Sequence, residues 1–162
     1  MIVLGVDPGS MRTGYGAVET DGRCHRLVEM GALVPGQRTS LPEKLRHIHA
    51  GVLALIERLS PDVLAVEDVF HAANTRTALV LGHVRGVVLL AGAQAGLDVH
   101  EYPPATVKQQ VTGFGRAEKS QVAFMVTRML ALPQAAEPGD ATDALAVALC
   151  FACLRPAVGV PS

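Results

Sequence analysis

Two short apolar runs, each ending on an acid, limit what this chain can fold into more than any other feature. Ile2–Val6 runs into Asp7, and Val63–Val66 runs into Glu67. Near-continuous apolar runs of this length, bounded by turn formers, read as strands buried on both faces. Pro8, Gly9 and Ser10 turn the chain after the first run, and Ser60-Pro61 stand just before the second. A charge at the end of an apolar strand is costly unless it is paired or holds a cation. If the two strands are adjacent and parallel, both carboxylates emerge at one edge of a sheet.

The rest of the chain supplies partners for those strands. Thr13–Glu19 and His25–Val34 are strand candidates separated by Asp21-Gly22, a hairpin signal, so the chain begins as a three-stranded meander. From Leu41 the apolar period becomes helical, through Leu45, Ile48, Val52, Leu55, Ile56 and Leu59. Ser40 and Glu43 form a capping box, Pro42 suits a first turn, and Ser60-Pro61 ends the helix. Asp62–Glu67 is the fourth strand. Asn74 caps a helix over Thr75–Ala95, and Asp98–Tyr102 is a short strand closed by Pro103-Pro104. Helices follow over Ala105–Thr112, Lys119–Leu132 and Ala141–Leu154, and the composition of Gly113-Phe114-Gly115 predicts a mobile loop. The order is a mixed α/β arrangement with an antiparallel start.

The 162 residues suit one domain, expected over 1–156 with a short tail over 157–162. A hydrophobic fraction of 49% and a mean hydropathy of +0.31 provide for a substantial core. Charge is nearly balanced, with 14 basic and 15 acidic residues, which is not the usual mark of a nucleic-acid binder. With four carboxylates set aside as ligands, eleven acids would face those fourteen bases. No signal peptide is visible, and the odd number of cysteines, Cys24, Cys150 and Cys153, fits a reduced cytoplasmic setting. The spacing of Cys150 and Cys153 matches a redox pair, but both stand in an apolar run and read as buried small hydrophobes. Ala78–Leu97, the longest apolar stretch, is broken by His83, Arg85 and Gln94, which argues against a membrane span.

Asp140 and Asp143 stand three apart at the start of the last helix, where side chains share a face and carboxylates sit well against the dipole. With Asp7 and Glu67 they make a candidate set of four oxygen ligands suited to Mg²⁺ or Mn²⁺ and not to zinc. Taken singly, each has an ordinary reading: Asp7 as a turn former, Glu67 as a strand-end acid, Asp140 as an N-cap. Their combination, in this order of elements, favours a metal-dependent site.

Six blocks then carry a resemblance: Asp7-Pro8-Gly9-Ser10 with Thr13-Gly14-Tyr15-Gly16, Ala65-Val66-Glu67, Val107-Lys108-Gln109, Ala117-Glu118-Lys119-Ser120-Gln121-Val122, and Asp140-Ala141-Thr142-Asp143-Ala144-Leu145-Ala146. In this order they resemble the RuvC family of Holliday-junction resolvases, from Ile2 to about Leu154. The resemblance implies an RNase H-like fold, a mixed five-stranded sheet flanked by helices. It also implies a homodimer that makes paired nicks in four-way DNA junctions, leaving ligatable 5′-phosphate and 3′-hydroxyl ends. Asp7, Glu67, Asp140 and Asp143 fall on the family's acidic tetrad and would hold two Mg²⁺ per subunit, with Mn²⁺ as a substitute. Phosphodiester hydrolysis builds charge on attacking and leaving oxygens, which two ions can stabilise together.

Lys108 and Lys119 match lysines the family keeps near the scissile phosphate. Phe70 matches an aromatic that wedges against bases at the junction centre. Ser10, Arg12 and Thr13 follow Asp7 in its turn and could reach phosphate from the same edge. Arg76, Arg85 and Arg116 are weaker candidates for DNA backbone contact. Gly82 and Gly86, four apart among leucines and valines, suit either a tight crossing within the chain or the dimer seam that the resemblance places here. A branch-migration helicase complex of the RuvA and RuvB type is a candidate partner. Three rivals stand beside this reading. Asp7-Pro8-Gly9-Ser10-Met11-Arg12-Thr13-Gly14 also resembles the first phosphate loop of actin-like ATPases, which need two such domains to clamp ATP. The others are a non-catalytic binder of branched DNA and a related nuclease acting on another branched or hybrid substrate.

Overall fold

The computed structural model describes residues 1–36, 38–68, 74–137 and 139–155. The expected wedge Phe70, its neighbour His71 and the tail over 157–162 lie outside the described residues. Five strands, β1 (Ile2–Asp7), β2 (Thr13–Thr20), β3 (His25–Leu33), β4 (Val63–Glu67) and β5 (Asp98–Tyr102), form one sheet in the order β3-β2-β1-β4-β5. The meander β1-β2-β3 is antiparallel, and β4 and β5 join it in parallel. The helices are α1 (Leu41–Leu59), α2 (Thr75–Gln94), α3 (Pro104–Thr112), α4 (Lys119–Met129) and α5 (Asp140–Leu154).

Strand parity divides the core in two. On one face Val3, Val18, Val63 and Ala65 pack with α3, α4 and α5; on the other Leu4, Val6, Ala17, Leu64 and Val66 pack with α1 and α2. Alternate strand residues point to opposite faces. Asp7 and Glu67 therefore share the α5 face, as the last members of Val3-Gly5-Asp7 and Val63-Ala65-Glu67. Helix α5 is buried nearly all round, from Ala144 to Ala152, so its polar first turn is the part left open to chemistry.

Local signals place the other elements. Ser40 and Glu43 form the expected capping box on α1, with the Ser40 N–H donating to the Glu43 carboxylate at 3.0 Å. Asn74 caps α2 by accepting from the Thr77 N–H at 2.9 Å. Helix α2 is long and apolar enough to cross a membrane. Here, however, it lies on the sheet through Val84, Val88 and Ala91, and its Arg85 is ion-paired with Asp68 and Glu101. Arg85, one of the weaker candidates for DNA contact, is thus engaged within the fold.

Two further expectations change, and one alternative narrows. Helix α4 stops at Met129, before the expected Leu132. Ala131 turns left-handed (φ 47°), and the Ala131 and Leu132 N–H groups donate back to the Arg128 and Thr127 carbonyls at 3.2 and 3.0 Å. These are the two bonds of a Schellman motif, which lets Leu132 fold back onto the core. Cys150 is buried as expected, but Cys153 faces outward. Gly82 and Gly86 have no atom of the described chain within 4 Å of where a Cβ would stand, so among the described residues they make no tight intramolecular crossing.

Candidate active site

The site begins with a strand register. Parallel pairing of β1 with β4 sets Val3 beside Val63, Gly5 beside Ala65 and Val6 beside Val66, and one step further brings Asp7 beside Glu67. Antiparallel pairing sets Gly14 opposite Asp7 and Gly16 opposite Gly5. Gly5, Gly14 and Gly16 thus form a bare stripe under α5. A Cβ on Gly5 would lie 2.1 Å from the Ala144 carbonyl oxygen, one on Gly14 2.0 Å from that of Asp140, and one on Gly16 2.6 Å from the Leu145 side chain. The stripe seats α5 directly on the backbone of β1 and β2 and lowers its acidic first turn to the level of Asp7.

Asp7, Glu67 and Asp143 line one hollow of about 300 Å³, together with Lys108 and Lys119 and an apolar floor that includes Val107, Val122 and Ala146. The carboxyls of Asp7 and Glu67 are within hydrogen-bond reach of each other. Burial first, then the neighbouring carboxylates, pushes both groups above the usual carboxylate range: Asp143 and Asp140 act on Asp7, Asp7 and Asp143 on Glu67. Lys119 Nζ donates to Asp143 Oδ2 at 2.6 Å, a bond that holds the ammonium above its ordinary pKa.

Asp140 is turned differently. Its Oδ2 accepts from Arg12 Nε at 3.0 Å, and it does not line the hollow. The N-cap of α5 is Gly139, so Asp140 is a first-turn residue and not the cap. Among the described residues no three Asp, Glu, His or Cys side chains close into a ligand cage. Three acids are gathered and the fourth stands beside them, with Asp140 and Asp143 each tied to a cation. Carboxylates that repel one another in a partly dry hollow take up whatever positive charge is at hand. The donor set fits a hard divalent cation: oxygen only, strongly acidic, and destabilised by its own repulsion until compensated.

Thr13 is a correction. Rather than facing phosphate it is fully buried, its hydroxyl donating to the Gly9 carbonyl at 2.8 Å and bracing the turn after Asp7. Ser10 is half-buried in that turn and Arg12 is exposed, while Arg76 and Arg116 are exposed and do not line the hollow. The glycine stripe is the feature that sequence reasoning missed as a site determinant. Its signal was present, since Gly5, Gly14 and Gly16 interrupt runs that otherwise read as strand.

A mixed β3-β2-β1-β4-β5 sheet with an acidic edge under the first turn of a central helix defines an RNase H-like protein. The family model described as "Crossover junction endodeoxyribonuclease RuvC" matches residues 3–151. The chain is 49% identical over 156 residues to the crossover junction endodeoxyribonuclease RuvC of Chloroflexus aggregans, covering 96% of this chain and 95% of that one. It is 46% identical over 152 residues to that of Desulforamulus reducens, covering 94% and 93%. The structure of Thermus thermophilus RuvC in complex with Holliday junction substrate superposes with a TM-score of 0.88 at 37% identity, covering 94% of this chain and 93% of that chain. This chain belongs to the RuvC family.

Proposed function

We propose that this protein is a structure-selective endonuclease that resolves four-way DNA junctions in recombination and repair, by paired symmetric nicks that leave 5′-phosphate and 3′-hydroxyl ends. The observation that carries the reading is the meeting of Asp7, Glu67 and Asp143 with Lys108 and Lys119 around one hollow, in a chain of this family. Asp7, Glu67, Asp140 and Asp143 are the metal ligands, with Mg²⁺ as cofactor and Mn²⁺ as substitute. Bound cations would supply Lewis-acid stabilisation of the attacking and leaving oxygens. Asp7, half-buried beside Glu67 and Asp143 in the hollow, would be shared by the bound cations, as the family resemblance implies. Lys119 and Lys108 carry positive charge to the phosphate as point donors, and Arg12, Ser10, Arg76 and Arg116 bind the backbone further out. Phe70 is the aromatic that wedges into the junction centre.

Two symmetric cuts need two sites. Leu79, Gly82, Gly86 and Leu90 share one face of α2, Leu79 being 61% exposed and Leu90 50%. This apolar, close-approach face is the seam of a homodimer, and sedimentation with and without junction DNA tests it. All three cysteines are unpaired, in keeping with a reducing cytoplasm. A branch-migration complex of the RuvA and RuvB type would present the junction.

Incubation with an end-labelled synthetic four-way junction and Mg²⁺ or Mn²⁺ tests the whole reading. Symmetric nicks that ligase seals support it. Cleavage of linear duplex or RNA–DNA hybrid in preference to the junction overturns the substrate, and ATP turnover without nicking would return the phosphate-loop rival.

A further inference from the structure

Beside the carboxylate hollow lies a second one, of about 360 Å³, walled by Thr112, Phe114, Ser120, Gln121, Phe124 and Met125. It contains two of the chain's four phenylalanines, and both are more exposed than buried, Phe114 at 58% and Phe124 at 62%. Phe114 is displayed by construction. Gly113 ends α3 in the left-handed region at φ 78°. The Gln109 side chain donates to the Gly113 carbonyl at 2.9 Å and accepts from the Gly115 N–H at 3.0 Å, and the Thr112 hydroxyl accepts from the Phe114 N–H at 3.1 Å. The loop expected to be mobile is thus bonded in place by two side chains of α3, in a turn that holds the ring away from the core.

The two helices that line this second hollow carry mostly positive charge. From Pro104 to Met129 the chain carries Lys108, Arg116, Lys119 and Arg128 against one acid, Glu118. Glu118 is occupied as the N-cap of α4 in a capping box with Gln121. The two hollows draw on the same two helices: Thr112 stands one turn of α3 beyond Lys108, about 5–6 Å along the axis, and Ser120 follows Lys119 on α4. A group docked against Phe114 and Phe124 is therefore next to whatever the two lysines hold. A slot with aromatic walls and a few polar side chains, beside the hollow that holds Lys108 and Lys119, matches the way single-stranded nucleic acid is held.

Resting on the junction-nuclease reading, we infer that this second hollow receives an unstacked nucleobase from the strand whose phosphate lies between Lys108 and Lys119. The base lies against Phe114 and Phe124, with the Ser120 hydroxyl and the Gln121 amide at its edge. Stacking on phenyl rings accepts any base, but unstacking is easiest at pyrimidine–purine steps. The hollow therefore biases cleavage towards steps that open readily, without a base-specific hydrogen bond.

The test places 2-aminopurine singly at each nucleotide within three of the cut in a synthetic four-way junction, and binds it to the protein in Ca²⁺. Expected is a fluorescence change confined to one or two positions beside the scissile phosphate. Phe114→Ala and Phe124→Ala should remove it and weaken junction binding roughly tenfold, the scale of one lost base stack. Phe114→Trp should restore both. Circular dichroism verifies that these surface variants fold. Unchanged fluorescence and affinity in both alanine variants would overturn the inference, as would loss of self-association in place of loss of the signal, which would give the hollow to a second copy of the chain. A parent protein that nicks no junction at all would sink the functional reading itself, a result distinct from a nicking protein with a silent Phe114.

Discussion

Gly14 lies directly under the carbonyl of Asp140: a Cβ added to it would stand 2.0 Å from that oxygen, closer than any side chain can approach. Gly14 is also the ladder partner of Asp7, so one bare position brings the first acid of the chain and the first turn of the last helix together. Gly14→Ala must push α5 outward. It should cost about 1–3 kcal/mol of stability, the usual range for overpacking, and abolish junction nicking. Urea denaturation with a nicking assay checks both. Full activity at parental stability would mean that α5 does not depend on the stripe.

Asp7→Asn removes one charge from a hollow in which burial and Asp143 already oppose it. Nicking should be lost while junction binding persists. In chelator the variant should melt higher than the parent, by about 2–4 °C for each kcal/mol of repulsion relieved. Addition of Mg²⁺ or Mn²⁺ should raise the parent's Tm and leave that of the variant nearly unmoved. Undiminished nicking would remove Asp7 from the site.

Lys119 is bonded to Asp143 and faces the hollow. Lys119→Ala should lower the single-turnover nicking rate by about 10²–10³-fold, the range seen when one transition-state donor is removed. Junction affinity should change far less. Equal losses in binding and rate would make Lys119 a general phosphate contact.

On the opposite face of the sheet, Tyr15 donates to Glu29 at 2.9 Å, and Arg58 pairs with the same carboxylate. Arg58 and then Tyr15 hold Glu29 down to about 2. Glu29 therefore stabilises the fold fully above its ordinary value near 4.5, and this contribution is lost as pH falls through about 2. Glu29→Gln should destabilise at neutral pH and converge with the parent near pH 2. The Tyr15 phenol, raised first by burial and then by Glu29, should titrate lower in the variant, as ultraviolet absorbance can follow.

Ala131 occupies the left-handed position of the Schellman motif at φ 47°. An alanine Cβ there costs roughly 1–2 kcal/mol, partly offset by the greater freedom of glycine in the unfolded chain. Ala131→Gly should raise the melting temperature by about 2–4 °C. A lower Tm would mean that the left-handed turn is not the strained point.

Most elements were legible before the fold was known, because each carries its own local cause. The Asp21-Gly22 hairpin, the Ser40–Glu43 capping box, the Asn74 cap and the apolar runs of β1 and β4 act within a few residues of where they are written. The errors share the opposite cause. Thr13 looked available because it follows Asp7 in a turn, but Gly9 folds back to take its hydroxyl. The α3–α4 connection looked mobile because two of its three central residues are glycine, yet Gln109 and Thr112 tie it down. That Arg85 meets Asp68 and Glu101 could not be read from its place in the chain.

By itself the sequence singled out the candidate acids and placed Asp7 and Glu67 at the ends of two buried strands, and the parallel β1–β4 register then set them on one face. Tertiary structure alone decided what each acid meets. Asp140 is claimed by Arg12, 128 residues away, and Asp143 by Lys119, 24 away. A carboxylate's charge state and orientation depend on neighbours within a few ångströms, and those neighbours are set by packing, not by spacing along the chain. The glycine stripe shows the same division. Gly5, Gly14 and Gly16 could be read as residues without side chains, but what that emptiness is for became visible only when α5 was found lying in it.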